Sequence, residues 1–113
     1  MTEIWRMSAV EVHDLLKHRK LSAIEVLESC ITRVEEIDCK INALPETCFD
    51  RARALASEID NNPSKDPLNL LGLPIAVKDY NDLSGVRTTY GSPLFKDNIP
   101  QYSDRTITRL EIN

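Results

Sequence analysis

Residues 70–77, Leu-Leu-Gly-Leu-Pro-Ile-Ala-Val, are apolar on consecutive positions rather than on alternate ones. Apolar residues in unbroken succession mark a strand covered on both faces, whereas a half-exposed strand alternates. Such a strand needs neighbouring strands and helices above and below it, so the run predicts an α/β fold. Only two other segments, around 41–46 and 86–89, read as strands, and Pro45 interrupts the first. The expectation is therefore of N-terminal helices plus the first strands of a larger mixed sheet, an incomplete one, with residues 1–113 forming part of a single domain.

The rest of the chain reads as helix and loop. Ser8-Ala9-Val10-Glu11 and Ser22-Ala23-Ile24-Glu25 both fit the capping box. In that motif a serine accepts from the third helical N–H while the glutamate reaches back to the serine amide. Removing either serine should cost about 1 kcal/mol. The first helix is expected to end near Lys17, with Lys17, His18 and Arg19 at the negative end of its dipole. The second carries Ala23, Val26, Leu27, Cys30, Ile31, Val34 and Ile37 at i, i+3, i+4 spacing, which makes one apolar stripe. A third, alanine-rich helix is expected from about Cys48 to Ile59. It is followed by a polar loop bearing Pro63 and Pro67. A last helix starts near Ser103 or Asp104.

The charge balance is 14 basic to 18 acidic residues, a net charge of −4 with no basic cluster, so nucleic-acid binding lacks its main driving force. No apolar run approaches the roughly 18 residues needed to cross a bilayer, and no membrane association is expected. Cys30, Cys39 and Cys48 form no C-x-x-C pair, which fits a reduced, cytoplasmic chain without disulfides. Cys30 falls on the apolar stripe of the second helix and reads as core. Cys39 and Cys48 lack a nearby histidine and do not suggest a metal site. His13 and His18 are expected on the surface.

Lys78 stands out. Ligand sites in open α/β sheets lie beyond the carboxyl ends of strands, and Lys78 follows directly on the apolar run. A lysine at a strand end is more often solvated, or paired with a carboxylate such as Asp79 or Asp82. All three glycines, Gly72, Gly85 and Gly91, lie in this run or in the loop after it, so special backbone geometry gathers where the cation is.

Three stretches then point in one direction: Gly72-Leu-Pro-Ile-Ala-Val-Lys78-Asp79, Gly85-Val-Arg-Thr-Thr-Tyr-Gly91-Ser92-Pro93, and Asp104-Arg-Thr-Ile-Thr-Arg-Leu. Together they resemble the amidase signature family, in order and in spacing, over nearly the whole chain. The resemblance implies a mixed-sheet amidase domain. It also implies hydrolysis of a small-molecule carboxamide through an acyl-enzyme, without cofactor or metal. Lys78 falls on the family's catalytic lysine, the base of a Ser–cis-Ser–Lys triad. Such a lysine must lose its charge to act as a base, which requires a closed, apolar surrounding. The Gly/Ser-rich segment that would carry both serines is expected after position 113 and is not in this sequence. Two expectations follow. The chain alone should be inactive, with Lys78 its contribution to the triad, or it should serve as a non-enzymatic piece that pairs with another chain. Uncovered apolar surface would also favour self-association.

Overall fold

The computed structural model describes residues 3–113. Its elements are a 3-10 turn, Ile4–Arg6, then α1 (Ala9–Lys17), α2 (Ala23–Ile41), α3 (Phe49–Asn61), a second 3-10 turn, Pro93–Phe95, and α4 (Arg105–Ile112). The chain divides into two compact units, one ending at Pro74 and the other spanning Ile75–Asn113.

In the first unit α2 is the central element. Both capping boxes form: Ser8 Oγ accepts from Glu11 N and Ser22 Oγ from Glu25 N, while each glutamate accepts from its serine amide at 2.8 Å. The α2 start is also held from outside. The carboxylate of Asp60 on α3 accepts from Ala23 N at 2.7 Å and from Ile24 N at 3.0 Å. The N-terminal amides that a helix cannot satisfy internally are thereby taken up by one local serine and one distant carboxylate.

The apolar stripe of α2 serves two neighbours. Ala23, Leu27 and Ile31 pack with Ala56 of α3, flanked by Phe49, Ala52 and Ile59. Val26 turns towards Val12 and Leu16 of α1, with Leu71 and Leu73 packed against that cluster. A bidentate Arg53–Glu28 pair, with Nε–Oε1 at 2.6 Å and Nη2–Oε2 at 3.1 Å, ties α3 to α2 beside the core. Cys30, expected in the core, is only half-buried, and that burial pushes its thiol up. His13, expected on the surface, is half-buried, with its Nε2 donating to the Asn69 carbonyl at 2.9 Å.

The expected α/β architecture is not what the chain adopts: among the described residues there is no strand, and the structure is helices and loops. Each anticipated strand has a specific substitute. In the 70–77 run, Leu71 (φ +56°) and Gly72 (φ +88°) are both left-handed, and Leu73 N donates to Leu70 O at 3.1 Å. A tight turn therefore stands where an extended segment was expected, and Pro74, Ile75 and Ala76 are exposed. At 41–46, Ile41 closes α2 and Asn42 (φ 52°) caps it. The Asp38 carboxylate then takes the amides of Ala43 at 2.7 Å and Leu44 at 3.3 Å. At 86–89, Thr88 N donates to Asn98 O and Gly85 N to Pro100 O, two isolated bonds that do not grow into a ladder. A strand's amides and carbonyls need a partner strand. The 41–46 and 86–89 segments meet their requirements through caps, turns and side chains instead, whereas the 70–77 segment makes its turn at Leu71–Leu73 and then runs exposed over 74–76.

Candidate functional site

The second unit, Ile75–Asn113, is a long loop closed on itself and finished by α4. Three links draw it together. Asp104 N donates to Asp82 O at 2.9 Å, and Asp104 Oδ2 accepts from Asp82 N at 3.0 Å and from Asn81 Nδ2 at 3.1 Å. Ser84 N donates to Ser103 Oγ at 2.9 Å, and Ser84 Oγ to Gln101 O at 2.8 Å. Thr88 is buried, its amide on Asn98 O and its carbonyl on Asn98 Nδ2. Ile107 of α4 and Leu83 are buried as well.

Lys78 lies where this loop begins, with its side chain over the Tyr80 ring and its ammonium 5.6 Å from the centroid. Its carbonyl accepts from both Tyr80 N at 2.8 Å and Asn81 N at 2.9 Å, so the backbone turns sharply just past it. No carboxylate pairs with the ammonium among the described residues, because the two obvious candidates are engaged elsewhere. Asp79 reaches back to Thr89, accepting from its amide at 2.8 Å and from its hydroxyl in a very short bond. The Thr89 hydroxyl first, then the Thr89 amide, hold the Asp79 carboxyl below the usual carboxylate range. The Gly91 amide and the charge of Arg87 add to this, and burial opposes it. Asp82 accepts from the Tyr90 hydroxyl, also in a very short bond, and this hydrogen bond pushes the phenol up.

These contacts connect the motifs. The Lys78-Asp79 dipeptide and the Thr88-Thr89-Tyr90-Gly91-Ser92 stretch meet through Asp79 and Thr89, ten positions apart in the chain. Tyr90 (φ +52°) and Gly91 (φ +68°) form a second left-handed turn, closed by Ser92 N donating to Thr89 O at 2.9 Å. A tyrosine in that conformation is strained, and its hydroxyl bond to Asp82 and edge-on contact with Phe95, centroids 5.1 Å apart, hold it there. From the sequence, Thr89 is expected only in a short strand, Asp104 only as a candidate helix start and Tyr90 only within its motif, while Asp79 and Asp82 are offered only as partners for Lys78. Their signal is the co-occurrence of a lysine-aspartate pair with a threonine-threonine pair ahead of a glycine, which has meaning only once the loop closes.

Ser84 and Ser92 are the serines nearest downstream of Lys78, and each is committed to structure. Ser84 bonds across to 101–103, and Ser92 Oγ accepts from Leu94 N at 3.3 Å. Among the described residues, no group of three or more His, Cys, Asp or Glu is placed to hold a metal ion, and no helix is long and apolar enough to cross a membrane. Cys30, Cys39 and Cys48 are not joined in disulfides.

Comparison with known proteins places the chain. It is similar to the A subunit of the glutamyl-tRNA(Gln) amidotransferase of Geotalea daltonii, 34% identical over 110 residues. It is similar to the protein of the same name from Chlamydia trachomatis, 35% identical over 111 residues. Each match takes in 96% of this chain and 23% of the relative, so the chain spans about a quarter of the length of these relatives. A solved structure, from work on a vestigial protein complex that reveals the evolutionary origins of an s-triazine catabolic enzyme, superposes with a TM-score of 0.81 at 32% identity. The match covers 94% of this chain and 24% of that one. The Amidase family model matches residues 25–113, the span that holds all but the first two residues of α2, with α3, the left-handed turns at 71–72 and 90–91 and the Lys78 loop, and the chain belongs to that family.

Proposed function

We propose that this chain is an amidase-family piece that functions by pairing with further polypeptide. One observation carries the reading. Of the twelve large hydrophobic side chains exposed among the described residues, nine lie in Ile75–Asn113, the unit that bears Lys78. Leu94 is 90% exposed and Tyr102 81%, with Ile75, Tyr80, Ile99 and Ile112 also open to solvent. So much apolar surface around one loop is the signature of a face that another part of a fold covers. The kinship with proteins named as subunits, and with one described as part of a complex, agrees with it.

In such a pairing, Lys78 is the base of amide hydrolysis. Cover over the ammonium disfavours its charged form. The neutral amine then takes a proton from a serine on the added polypeptide, and that serine deprotonates the nucleophilic serine. The nucleophile attacks the carboxamide carbon, the amine leaves with a proton, and water releases the carboxylate from the acyl-enzyme. The substrate class is a small-molecule carboxamide and the setting the cytoplasm, with Asp79 and Thr89 fixing the backbone on which Lys78 is carried.

A second reading keeps the pairing and drops the catalysis: the chain is an interaction module, as the description of its structural neighbour as a vestigial complex favours. One experiment separates the two. The Geotalea daltonii relative is produced without the quarter that matches this chain, mixed with the chain, and assayed by co-elution and by ammonia release from small carboxamides. Association with Lys78-dependent hydrolysis supports the catalytic reading. Association with hydrolysis unchanged in Lys78→Ala, or with none, supports the module. Failure to associate, with the chain monomeric and soluble on its own, overturns both.

A further inference from the structure

We propose that the first unit holds a binding site for a small organic anion, in a cleft of about 650 Å³ where the end of α1 faces the 63–67 loop. The volume lies in the range of small-molecule sites, roughly 300–1,000 Å³. Nothing in the Lys78 loop contributes to it, so the inference is independent of the amidase reading.

The charges of the wall are unevenly spent. Lys17, Arg19, Lys20 and Lys65 line the cleft, and no carboxylate pairs with any of them among the described residues. The three carboxylates of the same wall are occupied by backbone donors. Asp60 holds the amides of Ala23 and Ile24, Glu25 holds the Ser22 amide, and Asp66 accepts from Leu68 N at 2.9 Å. In a chain with a net charge of −4, four basic residues that no carboxylate pairs among the described residues thus line one concave surface. The helix dipole accounts for cations at the end of α1. It does not account for Lys65, which arrives from a different loop. Leu16, Leu21, Ile59 and Leu71 give the cleft an apolar side. A charged head with an apolar body fits this combination better than a bare ion does.

The backbone at Arg19 adds a second indication. α1 ends with Arg19 N donating to Leu16 O at 3.0 Å and Lys20 N to Leu15 O at 2.8 Å, and Arg19 is left-handed at φ 54°. This is the helix-ending motif that glycine favours, because a side chain there is strained. An arginine held at a glycine position puts a cation on the cleft at a cost in stability.

The test is a residue-resolved NMR titration of the full chain at constant ionic strength. The probes are 1-naphthoate, 1-naphthyl phosphate, inorganic phosphate and the neutral 1-naphthalenemethanol. The expected result is saturable shifts at the amides of residues 16–22 and 63–71 with naphthoate or naphthyl phosphate, about tenfold tighter than with inorganic phosphate or the neutral alcohol. Whichever head group binds more tightly tells carboxylate ligands from phosphate ligands. Arg19→Gly and Lys65→Gln should each weaken binding about fivefold, while Lys40→Gln, away from the cleft, leaves it unchanged. Arg19→Gly should also raise Tm, so its loss of binding is not a loss of fold. Shifts confined to Ile75–Asn113, equal binding of the neutral alcohol, or parental affinity in Arg19→Gly would overturn the proposal.

Discussion

Replacing Gly72 by alanine tests how tightly the first unit is closed. A Cβ at this position would stand 2.5 Å from the Cβ of Ala23, about 1 Å inside the normal carbon–carbon separation. Neither side yields easily. Ala23 is fully buried, with its amide anchored by Asp60 at 2.7 Å, and Gly72 stands in a turn closed by Leu73 N on Leu70 O. Two costs add. A side chain at a left-handed φ costs about 1–2 kcal/mol, and the overlap costs a further 1–3 kcal/mol or so, in the manner of an overpacked core. The less flexible unfolded chain returns about 0.4–1 kcal/mol. The net expectation is a loss of about 2–4 kcal/mol, read by urea denaturation of the helical circular-dichroism signal. The decisive comparison is a cycle with Ala23→Gly. That change alone destabilises, since it deletes a buried methyl in a helix. In the Gly72→Ala background it removes the overlapping partner and leaves the Ala23 Cα at an ordinary 3.6 Å. The double variant should therefore be more stable than the sum of the singles by at least about 1 kcal/mol. A coupling near zero would refute the packing account and leave backbone strain as the whole effect.

Asp60→Ala should cost about 2 kcal/mol by leaving the Ala23 and Ile24 amides without an acceptor, and Asp60→Asn less. Parallel urea curves would show it. Because the folded-state carboxyl of Asp79 lies below its unfolded value, the clamp on Thr89 is present in full above about pH 4 and is lost as pH falls through the folded value. The protection of the Thr89 amide against exchange, taken relative to the intrinsic rate at each pH from neutrality into acid, should drop in that window, and Asp79→Asn should remove the transition. Lys78→Ala should change stability by less than about 0.5 kcal/mol, since among the described residues its ammonium meets only the Tyr80 ring; thermal melts of the two chains would check it.

Local chemistry is legible in the sequence and long-range closure is not. Ser8/Glu11 and Ser22/Glu25 announce helix starts because every atom of a capping box lies within four residues. The α2 stripe is readable for the same reason, although which of its residues face α1 and which face α3 is a tertiary fact. The 70–77 run misleads because consecutive apolar residues serve a buried strand and a tightly packed turn equally well. Gly72, which lets the backbone pass against Ala23, decides for the turn. Lys78 is located by its motif, but its surroundings depend on Asp79 finding Thr89 and Asp82 finding Asp104, pairings that no local pattern encodes. The cleft cations give no sign of convergence in the sequence, where the end of α1 and Lys65 are separated by the whole of α2 and α3.

The start of α4 has a further consequence. Eight residues are too few for a helix to persist alone, since so short a segment barely repays its nucleation. Asp104 occupies its N-cap yet gives no side-chain bond to the helix, because the carboxylate is spent on Asn81 and Asp82. The residue that would ordinarily start the helix instead shuts a loop that spans about twenty residues, between Asp82 and Asp104. Closure and coiling are therefore coupled: α4 persists while the ends of the loop are joined and should loosen when they part. A single probe on α4 then reports on the closure of everything between Asn81 and Asp104.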